Sequence, residues 1–374
     1  MPPRAAYLHV PFCAHRCGYC NFTVAAGRDD LIEPYLQAME LELQGLGEPH
    51  EVDTLFLGGG TPTRLSPTQL DRLLATARRW FPLAAGGEMS VEANPADVDA
   101  ARVEVLFAHG VTRVSLGAQS FHTDKLRLLE RDHDAEIIAR ACALIGRQAA
   151  LSLDLIFAAP GETAAEWLAD VEAALKLGPQ HVSTYGLTFE RGTTFWGRQL
   201  RGGLVPLDDE TQREMYAAAI DRLTDAGFEH YEVSNFAQPS FHCRHNEVYW
   251  DGGEYYAAGP GAARYVAGRR EVNHRSTTTW LRRVLAGESP VAEAEELSPE
   301  DRARELLVLG LRRMAGVEQA AFAARTGFEI DALAGKEIRR FLDLGLLEET
   351  AGRLRLTRDG LFVSDSLWPH FLRA

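Results

Sequence analysis

Apolar runs rich in β-formers alternate along this chain with amphipathic stretches of helical period, and this alternation limits the fold more than any other feature. Residues 4–10, 54–58, 89–92, 113–116, 152–157 and 181–185 read as buried parallel strands. Residues 30–46, 67–80, 98–109, 135–146, 164–177 and 209–226 read as the helices that follow them. Serial strand-helix units build a parallel sheet with helices outside it. The expected class is therefore α/β, a partial (β/α)6 barrel of TIM type with a small C-terminal helical, winged-helix-like domain. The 374 residues suit one such barrel plus an appended module, and 46% hydrophobic residues supply a large core.

In sheets of this kind chemistry collects at the C-terminal strand ends. The first strand runs into Cys13-Ala-His-Arg-Cys17-Gly-Tyr-Cys20. Three thiolates on one short loop can hold three irons of a cubane 4Fe-4S cluster and leave the fourth iron open, whereas electron-transfer clusters take four cysteines. A zinc site would need a fourth ligand at finger-like spacing. Cys142 and Cys243 are far away in sequence, and His9 or His15 would complete the set only on paper, His15 having to fold back over its own loop.

The second strand ends in Gly58-Gly59-Gly60-Thr61-Pro62, a bare backbone that a ligand's amino or carboxylate group can approach closely. The third, fourth and fifth strands bring Glu92, Gln119 and Asp154 to the same rim. Any one of these, taken singly, reads as a loop anchor or an ordinary tight turn. The cysteine loop makes the combination a binding site.

A formal net charge of -14 argues against a nucleic-acid partner engaged through phosphate neutralisation. No stretch has the apolar length of a membrane span. The first residues carry no long apolar run or small-residue cleavage site, and five cysteines without a disulfide framework suit a reducing compartment, so the expected location is cytoplasmic.

The cysteine loop, the glycine turn and the Glu92, Gln119 and Asp154 positions together resemble the radical S-adenosylmethionine superfamily. Within it, Tyr7-x-His-Val-Pro-Phe-Cys13, Gly58-Gly-Gly-Thr-Pro-Thr63 and Asp154-Leu-Ile-Phe-Ala-Ala-Pro160 are similar to the oxygen-independent coproporphyrinogen III oxidase group over nearly the whole chain. The resemblance implies a 4Fe-4S cluster on Cys13, Cys17 and Cys20, whose open iron chelates S-adenosylmethionine and whose electron cleaves it to a 5'-deoxyadenosyl radical. It also implies contacts to S-adenosylmethionine from Tyr7, Tyr19, Gly59, Gly60, Thr61, Glu92, Gln119, Arg131 and Asp154, with Arg131 for its carboxylate. Relatives usually carry Gly-Leu where this chain has Ala158-Ala159, a change between small residues expected to matter little.

One position separates close relatives. The oxidases carry a fourth cysteine two residues after the third, and a longer N-terminal segment; here Phe22 stands in its place, and only six residues precede Tyr7. That pattern resembles the HemW-type heme chaperones, as does His245-Asn246-x-x-Tyr249-Trp250. The resemblance implies heme as a third cofactor, with His245 the candidate contact and His242 and Cys243 competing for the role. Imidazole is a good axial ligand and neighbouring aromatics stack on a porphyrin. Equally, His245 and Asn246 could satisfy loop backbone while Tyr249 and Trp250 pack in a core.

The implied function is binding heme and delivering it to acceptor hemoproteins, respiratory and membrane-bound ones among them, with a homodimer as one expected form. Radical machinery is implied, but no residue is assigned a catalytic role, and the chaperone reading is preferred to the alternative, an oxygen-independent coproporphyrinogen III oxidase of porphyrin biosynthesis. A radical enzyme modifying some other substrate, such as tRNA, is a third reading, which the acidic charge disfavours.

Expected boundaries are 1–235 for the barrel with its cluster loop, 236–290 for the heme-motif and connecting segment, and 291–374 for the C-terminal helical domain. Residues 251–261 read as a glycine-rich connecting loop, and the acidic stretch 288–300 as a linker. Residues 295–374 hold 14 acidic and 12 basic side chains, so the winged-helix-like pattern is expected to cover or dock rather than read DNA.

Overall fold

The structure is a computed structural model that describes residues 2–372. Its main sheet contains β1 (Ala5–Val10), β2 (Val52–Gly59), β3 (Leu83–Ala93), β4 (Arg113–Gln119), β5 (Ala150–Phe157), β6 (His181–Gly186), β7 (Glu229–Glu232), β8 (Asn235–Ala237) and β9 (Tyr256–Ala258). Their order across the sheet is β9-β1-β2-β3-β4-β5-β6-β8-β7. Strands β9 through β6 are all parallel, while β8 and β7 form an antiparallel extension on the far edge. The two edge strands are not paired, so the barrel is open, as the strand-helix repeat predicts.

Helices form where local capping and apolar spacing agree. Pro67–Trp80 opens with Ser66 and Gln69 in a capping box and Pro67 in its first turn, and buries Leu70, Leu73, Leu74 and Ala77 along one face. Ala164–Lys176 repeats the device with Thr163 and Glu166. These faces meet Leu55, Leu57, Met89, Val91, Val114 and Leu116 on the outer side of the sheet in one continuous core. By alternation, the inner side of the same strands presents Thr54, Glu92, Ser115 and Asp154.

Two stretches read as connections are strands. Tyr256–Ala258, inside the expected connecting loop, extends the main sheet beside β1, where its backbone groups find partners. Val291–Glu296, inside the expected acidic linker, pairs antiparallel with Arg269–Asn273, and Arg269 and Arg270 reach Glu296 (3.2 Å) and Glu295 (2.8 Å). The glutamates that suggest a solvated linker are thus half of a cross-strand charge ladder. Pro299–Leu311, Gln319–Thr326 and Ile330–Asp343, with the hairpin Leu347–Thr350 and Arg353–Leu356, form the winged-helix-like C-terminal part around a second core that includes Leu307, Phe341 and Leu354.

Candidate functional site at the strand ends

The loop after β1 is anchored on both flanks. Phe12–Cys13 pairs with Ala25–Ala26, and Gly18 O accepts from Phe195 N at 2.8 Å. A Cβ on Gly18 would sit 2.6 Å from the Phe195 ring, so the helix Thr194–Leu200 packs directly on the loop. The glycine turn after β2 is tied to the same loop, Gly60 N donating to Val10 O and Thr61 N to Phe12 O, both at 2.8 Å. A Cβ on Gly60 would meet Pro11 C and Val10 O at 2.7 Å, which is the physical reason for glycine at this position.

These elements enclose a cavity of about 580 Å³ at the C-terminal ends of the strands. Cys13, Cys17, Cys20, Tyr19, Gly59, Gly60, Thr61, Glu92, Gln119, Arg131 and Asp154 all line it. Burial pushes the Cys13 thiol up to about 11, with the neighbouring Cys20 and Cys17 sulfurs adding to the rise and the Thr61 hydroxyl, 3.5 Å away, opposing it. Once deprotonated, the three cysteine sulfurs at this cavity wall are the donor set that an iron-sulfur cluster would take.

Burial also pushes Glu92 up to about 7, against the hydrogen bond it accepts from Gly59 N. Asp154 is likewise raised by burial, offset by hydrogen bonds from Ser183 and Ser115. Arg131 donates from Nη2 to Asn94 Oδ1 (3.0 Å) and Gly117 O (3.1 Å) and from Nη1 to Cys17 Sγ (3.6 Å), yet its buried Nε has no partner. Arg131 lines the same cavity as the glycine turn, and its guanidinium suits an anionic ligand group there. Gln119 reaches the rim with φ of 65°, a left-handed conformation uncommon for a side-chain-bearing residue. Ala158 is also left-handed, at 64°, so the position where relatives carry glycine is one where backbone geometry favours it.

Tyr7 and His245 do not line the cavity. The Tyr7 hydroxyl lies 3.0 Å from Nδ1 of His9, whose Nε2 donates to Thr23 O at 2.8 Å, so His9 is committed to holding the loop rather than to a metal. His15 donates to the Glu130 carbonyl, with its Nε2 3.7 Å from Cys17 Sγ. His245 lies on the short helix Arg244–Trp250 and is 1% exposed. Its Nδ1 is 3.0 Å from Thr54 Oγ1 and its Nε2 2.9 Å from the Tyr249 hydroxyl. Burial lowers it to about 3, so the imidazole is neutral. His242 is the more accessible neighbour, stacked on Tyr231 with centroids 4.2 Å apart and held to Glu229 at 2.8 Å; Cys243 is buried.

Asn94, which orients Arg131, and Ser115, which donates to Asp154, escape the sequence reading. Only the position of Asn94 two residues beyond Glu92 signals it.

The family model described as the Radical SAM superfamily matches residues 7–174, and the HemN C-terminal domain matches residues 297–363. The heme chaperone HemW of Lactococcus lactis subsp. lactis is 34% identical over 372 residues, covering 99% of this chain and 97% of that protein. The heme chaperone HemW of Escherichia coli is 32% identical over 380 residues, covering 100% and 99%. Coproporphyrinogen III oxidase (HemN) from Escherichia coli shares the fold with a TM-score of 0.87 over 99% of this chain and 90% of that one, at 20% identity. With a radical SAM domain around the cysteine loop and end-to-end similarity to these chaperones, the chain belongs to the HemW family.

Proposed function

We propose that this protein binds heme and passes it to acceptor hemoproteins, with a 4Fe-4S cluster on Cys13, Cys17 and Cys20 and S-adenosylmethionine in the adjoining cavity. The observation that carries the cofactor half is a single cavity lined by the three cysteines, the Gly59-Gly60-Thr61 turn and Arg131. The heme half is supported by full-length similarity to proteins named heme chaperones.

In this reading the three cysteine sulfurs hold iron, and the Gly59-Gly60-Thr61 backbone lets the cofactor's amino and carboxylate groups approach. Arg131 pairs with the carboxylate, while Glu92, Gln119 and Asp154 accept from hydroxyl and amino groups. Tyr19, also on the cavity wall, would lie beside the adenine, and Tyr7 supports the loop through His9. When bound, the cluster supplies one-electron reduction. His245 is the residue proposed to hold heme, and acceptors of the respiratory type, a homodimer and a cytoplasmic setting complete the proposal. Among the described residues no helix is long and apolar enough to cross a membrane.

The test is one anaerobic preparation reconstituted with iron and sulfide, then titrated with hemin and, in parallel, incubated with coproporphyrinogen III. Expected are a brown protein whose colour is lost in Cys13→Ala, Cys17→Ala or Cys20→Ala, and stoichiometric hemin binding. Conversion of coproporphyrinogen III without hemin binding would establish the oxidase reading instead.

A further inference from the structure

The helix that carries His245 is fastened at both ends by parts of the chain remote in sequence. At its start, the Glu88 carboxylate on β3 accepts the backbone N–H groups of Arg244 and His245, each at 3.2 Å. Arg113 on β4, 3.4 Å from Glu88, donates to the carbonyls of Phe241 (2.7 Å) and His242 (3.0 Å). At its end, the turn Asp251–Gly252 is gripped from the C-terminal part. Arg313 pairs with the Asp251 carboxylate, Arg325 donates to Asp251 O at 2.6 Å, and Arg302 donates to Gly252 O.

The two fastenings differ in quality. The turn is held by three guanidinium groups and pressed against Leu306, with no room for a Cβ on Gly252. At the start, by contrast, Arg113 Nη1 is buried without a partner. An unmade hydrogen bond of this kind lowers the cost of lifting that end of the helix.

His245 itself divides its contacts in a telling way. Tyr249, on Nε2, is one helical turn away and would travel with it; Thr54, on Nδ1, belongs to β2 and would stay behind. A porphyrin cannot reach an imidazole that is 1% exposed inside the barrel.

We propose that Arg244–Trp250 is a latch that lifts off the inner wall of the barrel, pivoting on the arginine-held Asp251–Gly252 turn, and that heme reaches His245 only in the lifted state. This rests on the reading of His245 as heme ligand. Lifting breaks the contacts to Thr54 and Glu88, frees Nδ1, and leaves Tyr249 orienting the ring through Nε2.

The experiment is stopped-flow absorbance of hemin binding to the full-length protein, with hydrogen exchange read over residues 244–250. Wild-type association should level off at high hemin, as expected when opening precedes binding. Thr54→Val should raise the plateau rate about fivefold, the factor expected from losing one buried hydrogen bond, and speed exchange in the helix. Thr54→Ser keeps the hydroxyl and should behave as wild type.

His245→Ala separates the two ideas. If it keeps the wild-type hemin spectrum, the ligand reading fails and the latch fails with it. If it abolishes that spectrum while Thr54→Val binds and exchanges at the wild-type rate, the ligand reading stands and the latch is overturned.

Discussion

Gly59 donates its backbone N–H to Oε2 of Glu92 across 2.7 Å, joining the bare turn after β2 to the end of β3. The bond orients a carboxylate that burial pushes up to about 7, so its charge changes near neutral pH.

The sign of the resulting pH dependence follows directly. Below about 7 one Glu92 oxygen carries a proton; above it both oxygens are acceptors. Binding of S-adenosylmethionine to the reconstituted protein should tighten from pH 6 to pH 8, as measured by calorimetry. Glu92→Gln should bind about tenfold more weakly at pH 8 and lose the dependence. Equal affinities at both pH values in the parent protein would remove Glu92 from the cofactor contacts.

Gly60→Ala places a methyl group 2.7 Å from Pro11 C and Val10 O, both backbone atoms that have nowhere to go. The turn must shift, at a cost of about 1–3 kcal/mol. Iron content after reconstitution should fall with it, while Gly86→Ala, whose Cβ would meet nothing within 4 Å, should keep its iron despite a strained φ of +72°.

Lys125 is buried with Glu162 and with Asp170, the latter at 3.0 Å. Asp170 also accepts from Ser120 Oγ (2.7 Å) and Phe121 N (2.6 Å), just past Gln119. Lys125→Met strands two carboxylates in the core and should cost about 3–5 kcal/mol in urea unfolding. A loss below about 1 kcal/mol would show the triad to be solvated.

Glu42 receives Gly259 N (3.0 Å) and Trp280 Nε1 (2.9 Å) on one oxygen and Asn273 Nδ2 (2.6 Å) on the other. Glu42→Gln must point an amide N–H₂ at one of these donors. The chemical unfolding midpoint should drop, by the equivalent of about 1–3 kcal/mol. An unchanged midpoint would mean that the donors find other acceptors.

Much of the barrel was legible because its signals are local. The spacing of Leu70, Leu73, Leu74 and Ala77 marks a helix face, and Ser66 with Gln69 marks where that helix begins. The helix Thr123–Leu128 was not read, being too short to show a period. Tyr256–Ala258 escaped for the same reason: three residues among glycines look like a loop until β1 supplies their hydrogen bonds.

The sequence by itself determined the strand-helix repeat and placed three cysteines on one loop, because periodicity and spacing are carried by neighbouring residues. It also brought Glu92, Gln119 and Asp154 to strand ends, since chain direction in a parallel sheet puts them on one rim. Only the tertiary structure decided what Arg131 and His245 face. Asn94 and Gly117 O hold the Arg131 guanidinium at the cavity wall, whereas Thr54 and Tyr249 occupy both nitrogens of His245 inside the barrel. Those partners come from other strands and helices, and no local pattern specifies a contact that exists only once distant segments have packed.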